Sequence, residues 1–196
     1  MKQVAIKQTV KVTLVGVLVA LGLLIQGCSK NVEVTEVHEA VIIHNGEECD
    51  LCGMLINQFP GPKGQLFERG GSDPKRFCST RDLFAYALQP EHQHRVKQIY
   101  VHDVASAPWD KQGDAKYIDA ASAYFVVGHN LNGAMGPTLA SFATKDAAES
   151  FSRKHNGEVM TFDEIDLAVL TKLNDQAMDL GEPMHHSQHS AHSAHH

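Results

Sequence analysis

The hydrophobic pattern between residues 55 and 173 changes its period several times and predicts short strands that alternate with helices. Strands are predicted where β-branched and aromatic residues cluster or alternate, at residues 55–59, 65–68, 96–104, 124–127 and 138–142, and near Val159. Residues 60–64, Pro-Gly-Pro-Lys-Gly, are interpreted as a hairpin turn between the first two strands. Helices are predicted at residues 79–88, 144–154 and 163–173, and a capping hydroxyl followed by a first-turn acid marks the start of the first two.

The order hairpin, helix, strand occurs twice in this pattern. Residues 77–82, Phe-Cys-Ser-Thr-Arg-Asp, are echoed by residues 142–146, Phe-Ala-Thr-Lys-Asp. We interpret the echo as a weak internal duplication, and two ordinary capped helices are the alternative. The predicted fold class is α+β, with two similar ββαβ units packed as one domain between residues 49 and 176.

The N-terminus carries a targeting signal. A nearly unbroken apolar run, residues 12–24, follows three lysines, and it is about as long as a signal-peptide core and too short to span a bilayer unaided. Residues 24–28, Leu-Ile-Gln-Gly-Cys, resemble a bacterial lipobox, in which cleavage precedes the cysteine and the thiol carries diacylglycerol. We predict a signal peptide at residues 1–27 and a lipid anchor at Cys28, on the periplasmic side of a bacterial membrane. Ser29 slightly favours the outer membrane. A retained anchor, or a secreted protein with one stray cysteine, is the alternative.

The net charge and the number of cysteines narrow the classes of function that the sequence allows. Removing residues 1–27 removes three lysines and no acid, so the formal net charge falls from −6 to −9, which argues against nucleic acid as a partner. Four cysteines are present, and if lipid occupies Cys28 an odd number remains in an oxidising compartment. A framework made wholly of disulfides is then impossible, and a metal or a reactive thiol is favoured.

Two flanking segments lie outside the predicted domain. Residues 28–48 are predicted to be an extended polar tether with one apolar run, Ala40 to Ile43, that could form an edge strand. Residues 177–196 are predicted to be a disordered tail, because histidines spaced by Ser, Ala and Gln cannot form a core. The tail could bind Cu(II) or Zn(II) with low affinity, or it could be solvated and idle.

The densest group of sulfur atoms lies at residues 49–54, Cys-Asp-Leu-Cys-Gly-Met. Thiolate and thioether together favour a soft monovalent ion such as Cu(I) over zinc, which seldom takes methionine. Gly53 would let the backbone turn so that Met54 faces the same side as Cys52.

The pair Cys49 and Cys52 has three other interpretations: a redox dithiol, half of a zinc site, or a disulfide. A redox dithiol usually lies at the start of a helix, whereas Gly53 and a β-rich stretch follow here. Zinc would require a fourfold site, and no second close Cys/His pair is present outside the tail. A disulfide between the two cysteines would block the site.

Residues 49–64, which combine Cys-x-x-Cys-Gly-Met with Gly-Pro-Lys, resemble the NosL family of copper-delivery lipoproteins for nitrous oxide reductase. Residues 77–84, 124–128 and 134–136 also fit this family, so the resemblance covers the lipobox and roughly residues 49–160. It implies a fold similar to the core of organomercurial lyase and a role in passing Cu(I) toward the enzyme's copper centres. The implied partners are nitrous oxide reductase, or its assembly complex of an ATP-dependent transporter and a periplasmic β-helical protein.

Further candidate residues lie outside the first motif. Met135 stands between glycines rather than in a hydrophobic run, and the duplication would bring its loop near Met54, so it is predicted to close the site. His129 could supply a nitrogen ligand, although a surface loop histidine is the commoner case. Cys78 is interpreted as a small buried hydrophobic residue and Asp82 as a first-turn helix acid.

These observations predict a membrane-anchored Cu(I) metallochaperone that is not an enzyme. The predicted metal ligands are Cys49, Cys52, Met54, Met135 and His129. No Ser/His/Asp order, phosphate loop or dinucleotide fingerprint is present in the sequence. The main alternative is a thiol-disulfide oxidoreductase lipoprotein that keeps a partner's cysteines reduced, although such an enzyme has no use for thioether ligands. A lipoprotein whose tail does the binding is a third hypothesis.

Overall fold

The N-terminal half of the protein is built around one central strand, and other parts of the chain pack on both faces of that strand. The structure is a computed structural model that describes residues 37–181, with side chains as far as residue 175. Strand β1 (Gly64–Glu68) pairs antiparallel with β2 (Lys75–Phe77) on one side and with β3 (Val96–His102) on the other. Strand β4 (Tyr117–Asp119) pairs with β3 and completes the sheet order β2-β1-β3-β4.

One helix packs directly on the start of this sheet. Helix α1 (Thr80–Ala87) follows β2, and the short α2 (Pro90–Gln93) leads into β3. A Cβ atom added at Gly64 would lie 2.7 Å from Leu83 Cδ2, so the helix approaches β1 as closely as a glycine permits. The other face of β1 is covered by residues 37–43, where the His38 ring stacks on Phe67 at a centroid distance of 4.7 Å.

The C-terminal half contains a second, smaller antiparallel sheet. Its order is β8-β5-β9, and its members are β5 (Tyr124–Val127), β8 (Ala140–Phe142) and β9 (Glu158–Thr161). Helix α3 (Lys145–His155) lies between β8 and β9, and α4 (Leu167–Gly181) follows β9. A two-stranded ribbon of β6 (Asn132–Gly133) and β7 (Gly136–Pro137) lies between β5 and β8. No helix among the described residues is long and apolar enough to cross a membrane.

The predicted α+β class with antiparallel pairing is confirmed. In each of the two larger sheets, the first strand lies between the second and the third, and a helix connects the second to the third. The duplication of a ββαβ unit and the likeness to the core of organomercurial lyase stay predictions. The domain boundaries also stay predictions, and the signal peptide, Cys28 and the histidines of residues 182–196 lie outside the described residues.

The helix starts follow the predicted capping rules. The Ser79 hydroxyl accepts a hydrogen bond from the backbone N–H of Asp82 (3.0 Å), and the Thr144 hydroxyl accepts one from Ala147 (3.3 Å). The last helix begins four residues later than predicted, because a capping box at Thr161 closes a separate 3-10 turn over Phe162–Glu164.

Two strand predictions near the N-terminus are wrong. Residues 55–59 do not form a strand, because strand-like pairing stops after a single antiparallel bridge between Leu55 and Glu48 and Ile56–Gln58 then forms a 3-10 turn. The loop at residues 60–64 is therefore not a hairpin, and β1 pairs with β2 across residues 69–74 instead. Residues 40–43 form no edge strand, since the backbone of Val41 bonds to the side-chain amide of Gln65.

Candidate metal centre

Three thiols from two separate segments converge at the edge of the first sheet. Cys49 and Cys52 lie in a turn before Ile56–Gln58, and Cys78 lies between the end of β2 and the start of α1. The Cys52 and Cys78 sulfur atoms are 3.5 Å apart, and all three cysteines are free. With one Oδ atom of Asp82, the three sulfurs form a group whose members all lie within 4.8 Å of one another.

The turn that carries Cys49 and Cys52 is closed by backbone hydrogen bonds. The N–H of Cys49 donates to the carbonyl of Met54, and the N–H of Gly53 donates back to the carbonyl of Cys49, both at 2.9 Å. Gly53 has φ +72°, in the left-handed region that side chains other than glycine's seldom adopt. The predicted backbone turn at Gly53 is thus present.

A pair of reciprocal hydrogen bonds fastens this turn to β2. The N–H of Asp50 donates to the carbonyl of Arg76 (2.9 Å), and the N–H of Arg76 donates to the Asp50 carboxylate (2.7 Å). Lys75 adds an ion pair to Asp50 at 3.6 Å. Because Arg76 is two residues before Cys78, these bonds hold Cys49 and Cys52 against the third thiol. Asp50 therefore has a structural role, since its carboxylate accepts a hydrogen bond from the backbone of β2.

Asp82 faces the thiols from the first turn of α1. The Cys78 thiol donates to Asp82 Oδ2 at 3.4 Å, and the Cys49 sulfur lies 3.9 Å from the same atom. The other carboxylate oxygen, Oδ1, lies 3.7 Å from the Arg81 guanidinium. Asp82 is a first-turn helix acid as predicted, and it also belongs to the sulfur cluster.

The three thiols differ in acidity. The pKa of Cys49 is lowered to about 5, first by its side-chain contact with Cys78, and further by backbone N–H groups of the same two segments. The pKa of Cys78 is raised by the same contact with Cys49 and by burial. Desolvation of its sulfur raises the pKa of Cys52, although the residue as a whole is exposed. Cys49 is therefore the most acidic of the three thiols.

A buried ammonium group lies behind the cluster. Lys63 is 1% exposed, and its Nζ donates to the carbonyl oxygens of Phe59 (2.7 Å), Pro60 (3.2 Å) and Cys78 (3.1 Å). Burial lowers the pKa of Lys63 to about 8, while the neighbouring cysteines oppose the shift. Its positive charge favours thiolates at Cys49 and Cys78.

The two predicted thioether ligands, Met54 and Met135, lie next to segments that carry members of the cluster. Met54 is half-buried and follows Gly53 directly. The Met135 side chain is 45% exposed, and its carbonyl accepts a hydrogen bond from Arg81 Nη1 at 3.0 Å, so the Met135 loop lies against the start of α1 beside Asp82.

His129 is not among the four residues whose donor atoms converge. Its ring packs edge-on against both Trp109 and Phe151, and its Nδ1 accepts the backbone N–H of Leu131 at 3.2 Å. Its Nε2 has no hydrogen-bond partner among the described residues. Burial lowers the pKa of His129 to about 4, so the imidazole is neutral at physiological pH.

Sequence reasoning missed Cys78 and Asp82 as members of the site. The usable signal was the odd number of cysteines that remain after Cys28, which leaves Cys78 without an assigned role. The spacing of Cys78 and Asp82 is a second signal, because residues four apart around a helix start lie on the same side of the helix.

The fold and the site together define a small α+β protein with a candidate thiolate metal centre. The family model named NosL matches residues 40–170, and the chain belongs to that family, which confirms the resemblance inferred from the motifs. The chain is 44% identical over 183 residues to the copper-binding lipoprotein NosL of Stutzerimonas stutzeri, and the match covers 93% of each chain. It is 40% identical over 124 residues to the copper-binding lipoprotein NosL of Achromobacter cycloclastes, covering 61% of this chain and 64% of that protein.

A solved structure supports the fold. The crystal structure of the copper chaperone NosL from Shewanella denitrificans matches with a TM-score of 0.66 and 48% sequence identity, and the match covers 67% of this chain and 98% of that one. At this identity the likeness extends beyond the fold class to the family.

Proposed function

We propose that the protein is a Cu(I) metallochaperone that binds the ion through Cys49, Cys52 and Cys78. The observation that carries the proposal is the convergence of three free thiols from two segments into one group. Thiolates select soft ions such as Cu(I), and the thioethers of Met54 and Met135 are of the same soft class. The names of the relatives, copper-binding lipoprotein and copper chaperone, support the same ion.

The burial of the thiols suits delivery rather than permanent storage. Cys49 and Cys78 are buried, whereas Cys52 is exposed. A partner's ligand can therefore approach the ion from the Cys52 side, while the two buried sulfurs still hold it. Stepwise ligand exchange then moves Cu(I) without releasing it to water. Transfer of this kind needs no catalytic residue, in keeping with the prediction that the protein is not an enzyme.

The receiving system is proposed from the family. We infer delivery toward the copper centres of nitrous oxide reductase, directly or through an assembly complex of an ATP-dependent transporter and a periplasmic β-helical protein. The protein would act from the periplasmic side of a bacterial membrane, anchored through lipid on Cys28, with the outer membrane slightly favoured. The redox alternative has no support from the local structure, because a turn follows Cys52 and α1 begins at Thr80 instead.

Anaerobic Cu(I) titration against a competing chelator, with X-ray absorption of the product, tests the copper proposal. We expect one tight Cu(I) per chain in a shell dominated by sulfur. Met135→Leu should weaken the affinity moderately, and Met160→Leu, which changes a methionine in β9, should not. A shell dominated by nitrogen would contradict the proposal and would point to His129 or the tail.

The backbone turn at Gly53 offers a second test, with a matched control. Gly53 and Gly70 have nearly the same φ (+72° and +79°), and a Cβ at either would meet no atom within 4 Å. Alanine at each should therefore cost about 1 kcal/mol of backbone strain and no steric clash. We expect both variants to lose similar unfolding free energy in urea titrations. Cu(I) affinity should fall only for Gly53→Ala. Equal affinities in the two variants would show that this turn does not contribute to metal binding.

The proposed anchor is tested by intact mass. Protein purified from membranes should begin at Cys28 and exceed the mass of residues 28–196 by a diacylglyceryl group, and Cys28→Ala should not gain it. An unmodified N-terminus at another residue would refute the lipoprotein assignment. It would not affect the copper proposal, because that proposal rests on Cys49, Cys52 and Cys78.

A further inference from the structure

Met135 lies in the tight turn at the tip of the β6–β7 ribbon. Gly133 pairs with Gly136, whose φ is +93°. Ala134 and Met135 form the turn between these two glycines. Ala134 packs against the hydrophobic core, whereas the Met135 side chain is 45% exposed. The turn therefore presents the Met135 thioether to solvent, while the residue before it is anchored in the core.

A buried pair of hydroxyl groups fixes the base of this ribbon to the first turn of α1. The Thr138 hydroxyl lies 2.9 Å from the Thr80 hydroxyl and accepts the backbone N–H of Arg81 at 3.3 Å. The Thr80 hydroxyl donates to the carbonyl of Leu139 at 2.6 Å. Thr80 and Thr138 are 0% and 1% exposed, so these bonds are shielded from water. The helical turn that carries Asp82 therefore also fixes the position of the ribbon's base.

The Arg81 side chain holds the tip of the same ribbon. Its Nη1 donates to the carbonyl of Met135 at 3.0 Å and to Asn174 Oδ1 in α4 at 3.3 Å, and its Nη2 lies 3.7 Å from Asp82 Oδ1. A guanidinium presents its donors in a rigid planar fork, so it can serve several acceptors with one orientation. One side chain thus joins the Met135 turn, α4 and the carboxylate of the thiol cluster.

We propose that Arg81 is a positioning residue that holds the Met135 turn beside the thiol cluster, so that the thioether can reach the bound ion. The inference rests on the proposed function, in which Cu(I) binds at the cluster and Met135 is a soft ligand. Fixing the Met135 carbonyl limits the positions that the side chain of the same residue can take. Without Arg81, the turn would have to be ordered when the ion binds, at a cost in conformational entropy.

A double-mutant cycle of Arg81→Gln and Met135→Leu tests this coupling by anaerobic competition with a Cu(I) chelator. If Arg81 acts through the thioether, it has nothing left to position once Met135 is replaced. We expect each single variant to lower the Cu(I) affinity by about tenfold, and the double variant to lose about tenfold as well. Losses that multiply to about 100-fold in the double variant would overturn the proposal. Arg153→Gln, at a 70% exposed side chain of α3, is the matched control and should change the affinity by less than about twofold.

Arg81→Lys separates positioning from charge. Lysine keeps a positive charge beside Asp82, but its ammonium lacks the fork that joins the Met135 carbonyl to Asn174. We expect the Cu(I) affinity of Arg81→Lys to be as low as that of Arg81→Gln. Recovery of the wild-type affinity would show that only the charge matters, and it would overturn the positioning role. Arg81→Lys also replaces Arg81→Gln in the cycle if urea unfolding shows that the glutamine variant does not fold.

The methionine methyl resonances provide a readout that a purely structural role would not change. In protein labelled with 13C at these methyl groups, Cu(I) should shift the Met135 resonance of the wild-type chain and leave that of Met160 in place. Arg81→Gln with bound Cu(I) should lose the Met135 shift, and an unchanged shift would overturn the proposal. A wild-type chain that binds no Cu(I) would overturn the proposed function and this inference with it. Tight binding by the wild-type chain with multiplying losses in the cycle overturns the role of Arg81 alone.

Discussion

Replacing Cys78 by serine is expected to lower the Cu(I) affinity by about 100-fold or more, because loss of an outer-sphere partner alone costs about 10- to 100-fold. Cys78 is fully buried and contributes its sulfur between Cys52 and Asp82, at 3.5 and 3.4 Å. Cys78 is also the neighbour that lowers the pKa of Cys49 most, so the substitution removes one ligand and makes a second less acidic. Competition between the protein and a Cu(I) chelator measures the effect.

The unfolding free energy is the control for Cys78→Ser, because it shows whether the variant still folds. Serine is nearly isosteric, and its hydroxyl can still donate to Asp82 Oδ2, so the unfolding free energy should change by only about 1 kcal/mol. A folded variant with unchanged Cu(I) affinity would restore the interpretation from sequence, in which Cys78 is merely a small residue of the core. A larger loss of stability would require the affinity to be compared at a temperature where both proteins are folded.

The two buried histidines, His102 and His129, are each expected to lower the stability of the metal-free protein by about 2 kcal/mol between pH 7 and pH 5. Burial lowers the pKa of His102 to about 3 and that of His129 to about 4. In the unfolded chain both titrate near their usual value of 6.5. Below that pH the unfolded state binds protons that the folded state does not, so stability falls as the pH falls from 6.5 toward 4 and 3.

Urea unfolding of the reduced, metal-free protein at pH 7 and pH 5 measures this loss. His129→Gln should reduce the difference between the two pH values by about 2 kcal/mol, whereas His44→Gln, at an exposed position, should leave it unchanged. An equal pH dependence in the two variants would show that the burial of His129 does not govern its protonation. The same His129→Gln variant also tests the predicted nitrogen ligand, since a ligand role would lower its Cu(I) affinity.

Local rules decided the parts of the fold that the sequence predicted well. The starts of α1 and α3 follow from Ser79 and Thr144, whose hydroxyls cap N–H groups only three residues away. The strand prediction for residues 55–59 was wrong because hydrophobic periodicity cannot tell a strand from a turn with one buried residue, here Ile56. A short apolar run reports burial, and the elements packed around it decide its geometry.

By itself, the sequence determined the family, the α+β class, and the local motif that sets Cys49 and Cys52 three residues apart, with Met54 beyond Gly53. Only the tertiary structure decided that Cys78 and Asp82 join them. The Cys52 and Cys78 sulfurs meet across 26 positions, and Cys49 approaches Asp82 across 33. The pairing of β1 with β2 and the bonds between Asp50 and Arg76 create these contacts. Spacing along the chain encodes neighbours within a turn, whereas contacts between separate segments depend on how the strands and helices pack.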